Sequence, residues 1–179
     1  MEFTIKELTL NDLHPNLLQH FSRHQEVKRC WRMEGDKWVL KDVVFDEEWD
    51  ENLKKEIVEN DLANCLKAGG FVWGVFGKNN GLVAFASLSS EVFGSQNQYL
   101  QLVQLHVSSE YRGKGIGKAL FNASADKAKM LGAKKLYISA HSSEETCAFY
   151  KNLGCADAQE INKKLAKLEP YDRQMEFVI

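Results

Sequence analysis

The chain has 179 residues and a formal net charge of −2, so it presents no overall basic field of the kind that draws proteins to nucleic acid through counterion release. Hydrophobic residues make up 44% and charged residues 27%, a composition that folds and excludes intrinsic disorder. The longest apolar run, Leu82 to Leu88, is broken by Ser87 and is far shorter than a bilayer-spanning helix requires.

Length predicts one domain spanning 1–179. The amino terminus alternates charged and apolar residues around Phe3 and Ile5, which predicts a short strand and no export signal. A cytoplasmic location follows, with Cys30, Cys65, Cys147 and Cys155 reduced, since none forms a C-x-x-C pair. Asn11 and Asp12 offer capping oxygens to a predicted helix with Pro15 in its first turn and Leu17, Leu18 and Phe21 as its apolar residues. His20 and His24 stand one helical turn apart, but no third ligand is spaced to join them, so no metal is expected.

From Cys30 to Asp46 there is no clear period. Trp31, Trp38 and Phe45 among charges predict a structured loop or broken helix. Trp49, Leu53 and Ile57 then recur every four residues, followed by Leu62 and Leu66, a helix that Gly69-Gly70 should end. Asp42, Asp46, Glu47, Glu48, Asp50 and Glu51 crowd before it. They read as carboxylates favouring its dipole, with attraction of a cationic acceptor as the alternative.

Phe71 to Phe76 and Leu82 to Leu88 form a predicted hairpin around Gly77-Lys78-Asn79-Asn80-Gly81. Tyr99 to Val107 reads as a strand buried on both faces. A helix from Ile116 follows, ended by Gly132, then a strand from Leu136 to Ala140, a helix from Glu144 to Asn152 ended by Gly154, and a closing strand from Gln174 to Val178.

The segment Arg112-Gly113-Lys114-Gly115-Ile116-Gly117 joins strand to helix. A tight glycine turn there gathers unpaired amides at the positive end of a helix dipole, with Arg112, Lys114 and Lys118 adding charge, and so suits a pyrophosphate. The plain alternative is a basic surface turn. A Walker A loop fails on spacing, because three residues separate Gly113 from Gly117 and Ala119 follows Lys118. The dinucleotide fingerprint fails because Lys118 stands where its last glycine belongs.

Arg112, Gly115 and Gly117 match the Q/R-x-x-G-x-G/A motif of the GNAT superfamily of N-acetyltransferases, which the chain resembles over about residues 70 to 155. Leu105 to Tyr111 is similar to the family's fourth strand and its exit, and Ala148 to Cys155 to its late helix motif, with Cys155 in place of the usual Phe. The resemblance implies a mixed, mostly antiparallel α/β (α+β) fold of six to seven strands flanked by helices, with the fourth and fifth strands splayed.

It further implies acetyl-CoA as co-substrate, without a metal, and transfer of the acetyl group to a primary amine of a small molecule or peptide by direct attack in a ternary complex. Neither nucleic acid nor membrane is an expected partner, and a homodimer is compatible with the sequence. On this resemblance, main chain of Leu105, His106 and Val107 meets the pantetheine arm. Arg112, Gly113, Lys114, Gly115, Ile116, Gly117 and Lys118 hold the pyrophosphate, and Ser143 stands where many relatives place an Asn facing the arm. Tyr150 takes the place of the general acid that protonates the departing thiolate, although Phe149-Tyr150 also fits simple helix packing.

The base has no clear owner. Gln101 and Val103 occupy the family's inward positions and accept no proton, while strict alternation puts His106 on the opposite face, as a packed histidine. His141 is the remaining side-chain candidate, with ordered water as the other route. The absent base motivates an alternative reading, a non-catalytic acyl-CoA-binding sensor on the same fold.

Overall fold

The computed structural model describes residues 3–78 and 80–179; Asn79, in the predicted hairpin turn, lies outside them. A seven-stranded sheet organises the molecule. It comprises β1 (Ile5–Glu7), β4 (Phe71–Phe76), β5 (Leu82–Leu88), β6 (Tyr99–Val107), β7 (Lys135–Ala140), β9 (Arg173–Val178) and β8 (Ala156–Asp157), in that spatial order. Only the β6–β7 pair is parallel, so the fold is the mixed, mostly antiparallel arrangement expected. The helices α3 (Ile116–Met130) and α4 (Glu144–Asn152) begin and end where their apolar pattern and glycines place them.

Two apolar clusters cover the two faces. Leu100, Leu102, Leu120, Phe121, Leu136 and Ile138 pack on the α3 side. Leu17, Leu18, Phe21, Ile57, Leu62 and Phe85 pack on the other.

The predicted helix after Asn11 does not form. Thr9 and Asp12 instead bracket a single 3-10 turn, Leu10–Asp12, and residues 14–21 continue as turns bonded three residues back, from Leu17 to His14, Gln19 to Asn16 and Phe21 to Leu18. The Leu17 carbonyl is taken by the Leu82 amide of β5 at 3.1 Å, and Leu17 and Leu18 are both buried. Neighbouring side chains on a helix diverge by about 100°, so tertiary packing overrides the local pattern.

The stretch read as a loop or broken helix is a long hairpin, β2 (Gln25–Glu34) and β3 (Lys37–Glu47). Two residues, Gly35 and Asp36, turn it between paired Glu34 and Lys37, a recognised short-hairpin signal. Asp42, Asp46 and Glu47 therefore lie on β3 and do not flank a helix. Asp50 alone caps the next helix, accepting from the Leu53 amide at 2.8 Å.

That helix runs as α1 (Glu51–Glu56), a π-helical segment (Ile57–Leu62) and α2 (Ala63–Lys67). The π segment explains the apolar spacing: the interval is four from Trp49 to Leu53 to Ile57, but five from Ile57 to Leu62. A short helix, α5 (Lys163–Leu168), and β8 complete the chain; neither has a periodic signature.

Candidate active site

β6 and β7 pair at three positions only, Tyr99, Gln101 and Leu100 against Lys135, Tyr137 and Leu136, and then diverge. The rest of β6 keeps its bonds to β5 and leaves its other edge open. Ser108 donates its amide to the Val83 carbonyl at 2.8 Å, so by antiparallel alternation the main-chain groups of Leu105 and Val107 point away from β5, into the opening, whereas those of His106 point to β5.

A bulge changes which side chains line that edge. Leu88 pairs with Leu102 but Ser87 with Gln104, leaving Val103 as an extra residue that reverses the alternation. Leu100, Leu102, Leu105 and Val107 consequently share the α3 face. His106 shares the other face with Tyr99 and Gln101, which corrects the strict-alternation expectation. The expectation that β6 is buried on both faces likewise holds only before the bulge, since Val103 is 43% exposed.

His106 is nevertheless a packed histidine. Its ring lies 4.7 Å from that of Trp49 and 5.3 Å from that of Phe85. Burial, with Arg23 and Arg112 nearby, holds its pKa down to about 3, so it is neutral at pH 7 and a poor proton acceptor.

The opening widens into a cavity of about 760 Å³. Leu105, His106, Val107, Arg112, Gly113, Gly115, Ile116, Gly117, Lys118 and Tyr150 all line it, so most of the residues singled out in the sequence converge on one place. Gly113 and Gly115 adopt φ of +72° and +80°, conformations in which an L side chain is strained. Gly117 is helical and is needed for another reason: a Cβ there would meet Phe149 Cζ at 3.3 Å and Val107 Cγ2 at 3.5 Å. Ala119 donates the first helical hydrogen bond, to the Gly115 carbonyl at 3.0 Å, and the amides of Gly113 to Lys118 have no backbone acceptor among the described residues. The loop thus gathers a run of free backbone amides at a helix mouth, an arrangement whose partial charge suits an anion.

Arg112 braces this loop. Its guanidinium donates to the Val107 carbonyl at 3.1 Å and the His24 carbonyl at 2.8 Å. Lys114 folds back, donating to the Glu110 carbonyl at 2.6 Å beside the Tyr111 ring, and does not line the cavity. Neither does Ser143, which is fully buried: its hydroxyl caps α4 by accepting from the Thr146 amide at 3.3 Å and takes a bond from Gln25.

Tyr150 sits on α4 against Phe121 and Phe149. Burial first, then Cys155 and Asp172, raise its pKa above the ordinary phenol value, and its hydroxyl has no hydrogen-bond partner among the described residues. It is a neutral donor facing the cavity. His141 lies outside the lining, its Nδ1 accepting the Ser143 amide at 3.2 Å and its ring near Phe45.

Sequence reasoning missed one wall of the cavity, Arg23 and His24 just before β2 with Gln25 and Glu26 at its start. Arg23 is held by Glu47 at 2.9 Å and lies over Trp49. The hairpin reaches the site because Trp31 donates its amide to the Ser142 carbonyl at 2.7 Å and Arg29 forks onto Glu144 at 2.7 and 2.8 Å. The two-residue turn at Gly35-Asp36 was the signal that would have revealed this wall.

Among the described residues no group of three or more His, Cys, Asp or Glu is placed to hold a metal ion, and no helix is long and apolar enough to cross a membrane.

No curated protein matches the sequence significantly, but solved structures share its architecture. Nourseothricin acetyltransferase is 15% identical, with 99% of each chain covered and a TM-score of 0.70. A protein assigned as a streptothricin acetyltransferase from Bacillus anthracis str. Ames, in complex with acetyl coenzyme A, is 20% identical over 100% of this chain and 99% of its own, TM-score 0.70. The PaiA N-acetyltransferase of Thermoplasma acidophilum, in complex with coenzyme A, is 16% identical with both chains fully covered at 100%, TM-score 0.62. The model of the acetyltransferase (GNAT) family matches residues 27–155, which include the opened strand, the glycine cradle and Tyr150, and the chain therefore belongs to the GNAT family of acetyltransferases.

Proposed function

We propose that the chain transfers the acetyl group of acetyl-CoA to a primary amine of a small molecule or peptide within a ternary complex. The observation that carries this reading is the run of unpaired amides from Gly113 to Lys118 beside the open β6 edge and the free Tyr150 hydroxyl. Pyrophosphate fits the cradle, and Lys118 adds a cation at its lip. The pantetheine arm fits along β6, where Leu105 and Val107 turn main-chain groups into the opening. The names of nourseothricin and streptothricin acetyltransferases favour a small-molecule acceptor over a peptide.

Acetyl-CoA supplies an activated acyl group: the amine nitrogen bonds to the carbonyl carbon, the carbon–sulfur bond breaks, and an amide and free CoA thiol result. A main-chain amide of β6 donates to the carbonyl oxygen as it gains charge. Tyr150 gives its proton to the departing sulfur and is reprotonated from water; the proton lost by the amine also leaves to water. His106 takes no part as base, since its burial keeps it from accepting a proton near pH 7.

Thiol release from acetyl-CoA across a panel of small amines and peptide amino termini tests this. Tyr150→Phe should lower kcat by roughly a hundredfold or more while leaving the Kd for acetyl-CoA within a factor of about two. Unchanged kcat would remove Tyr150 from the chemistry. Tight acetyl-CoA binding without turnover of any amine would favour the non-catalytic sensor.

A further inference from the structure

The sheet face opposite α3 carries a row of polar side chains that ends beside the opening between β6 and β7. Leu136 and Ile138 belong to the α3 cluster, so Tyr137 and Ser139 of β7 project from the other face, the one that also carries His106. Gln174 of β9 lies opposite Ser139, and Arg173 opposite Ala140. Asp172 therefore comes opposite His141, beyond the point where β7 leaves β6.

The hydrogen bonds along this row all run one way. The Asn162 amide donates to the Tyr137 hydroxyl at 2.9 Å, and that hydroxyl donates to Gln174 Oε1 at 2.7 Å. Gln174 Nε2 donates to Ser139 Oγ at 2.8 Å, and the Ser139 hydroxyl to Asp172 Oδ2 at 3.1 Å. Tyr137 and Gln174 are buried, so a chain running out of the core directs its last proton at one carboxylate oxygen and fixes its orientation. Asp172 Oδ1 has no hydrogen-bond partner, and the carboxylate no salt-bridge partner, among the described residues. The adjacent Arg173 is taken by Asp157 at 2.8 Å. A half-buried carboxylate left without a cation costs stability, which marks it as a candidate for chemistry.

Its surroundings tie Asp172 to the cavity that holds Tyr150. It is near enough to Tyr150 to raise the phenol pKa, and near enough to Glu47 to feel its charge; Glu47 in turn holds Arg23 of the cavity wall. The other titratable neighbours are His141 after β7, Glu169 after α5 and Cys147 of α4. Burial lifts the Asp172 carboxyl above the ordinary 3.8, with the Ser139 bond and His141 opposing and Glu169 and Glu47 adding. Its neighbours are less suited to take a proton. The Nδ1 lone pair of His141 accepts the Ser143 amide at 3.2 Å, which leaves Nε2 of the neutral ring a donor, and Glu47 is paired to Arg23.

We infer that Asp172 takes the proton of the acceptor ammonium through a water at its free Oδ1, with Ser139 as its positioning residue. The inference rests on the acetyl-transfer reading and supplies the route by which that proton reaches solvent. Asp172 passes it to bulk water, and the freed nitrogen lone pair bonds to the carbonyl carbon. The carbon–sulfur bond breaks as Tyr150 protonates the sulfur. The proton that the nitrogen sheds on becoming an amide leaves to water, from which Tyr150 is reprotonated. Tyr150 belongs to the α3-side cluster and Asp172 to the opposite face, so the acid and the proton acceptor approach the opening from its two sides.

Thiol release with butylamine, a cation at pH 7, and with trifluoroethylamine, whose fluorines leave it mostly neutral there, tests this. Asp172→Asn should lower butylamine turnover by roughly a hundredfold or more, with acetyl-CoA affinity kept, and the loss with trifluoroethylamine should be at least about tenfold smaller, because a neutral amine has no such proton to give. The variant keeps an oxygen that accepts from Ser139, so folding is retained. The acid limb of kcat should lie above 3.8 in the parent protein, since Asp172 works only when ionised. Ser139→Ala should move that limb to higher pH, because it removes a bond that favours the charged form. Equal losses with the two amines, an acid limb that Ser139→Ala leaves in place, or full butylamine turnover by Asp172→Asn would overturn the inference and leave acetyl transfer standing. Acetyl-CoA binding without thiol release from any amine by the parent protein would sink the transfer reading, and this inference with it.

Discussion

At the scale of single residues, burial decides what each titratable group is able to do. His106 lies on the open strand but is enclosed by Trp49 and Phe85, with Arg23 and Arg112 close by. Its folded pKa of about 3 is below the ordinary 6.5, so the unfolded chain binds the extra proton between those values. Stability is then fully present above pH 6.5 and declines as pH falls towards 3. By pH 5 the loss amounts to about 2 kcal/mol relative to pH 7. Denaturant unfolding of the protein and of His106→Gln at the two pH values checks this: the variant should show a pH loss smaller by about that amount. An identical loss in both would mean that water reaches the imidazole in the folded state.

At the scale of elements, the glycine loop shows how one motif combines two physical requirements. Gly115 needs a positive φ and has open space around its Cα, whereas Gly117 needs no unusual dihedral but lies under Phe149. Gly115→Ala should therefore cost about 1–2 kcal/mol of backbone strain while leaving Phe149 in place. Gly117→Val should cost about 1–3 kcal/mol by overpacking and also displace Phe149, the neighbour of Tyr150, so that acetyl-CoA affinity falls with stability. Equal effects of the two on affinity, measured by calorimetry beside thermal unfolding, would contradict this division. The motif itself was legible because its spacing is local, and so were α3, α4 and the strands around them, whose apolar periods run unbroken to a glycine. What was not legible depends on partners distant in sequence. Leu17 belongs to a turn because Leu82 takes its carbonyl. The β2–β3 hairpin hides its strands because it buries only Val27 and Cys30 deeply, leaving polar residues on both sides. The bulge at Val103 is set by pairing with β5, and nothing in the apolar run from Tyr99 to Val107 announces it; with it went the correct face of His106.

At the scale of the whole molecule, the sheet is two pieces joined at a narrow seam. β1, β4, β5 and β6 form one, β7, β9 and β8 the other, and three residue pairs of the β6–β7 ladder connect them. α3 packs across the seam on one face, and the hairpin bridges its open end through Trp31 to Ser142 and Arg29 to Glu144. A ligand lying along β6 with its phosphates on the α3 amides touches both pieces at the place where the protein's own bonding is sparsest. Its binding energy should therefore appear as cohesion between them. At a hundredfold excess over Kd, acetyl-CoA contributes about 2.7 kcal/mol, which for a chain of this size raises Tm by roughly 5–10 °C. Amide exchange should slow most in residues 102–118 and in the first turn of α4, and little in β4 and β5, which have strand neighbours on both edges. A rise in Tm with protection spread evenly over the sheet, or an equal rise with ATP, which lacks the pantetheine arm, would show that the seam is not where the coenzyme lies.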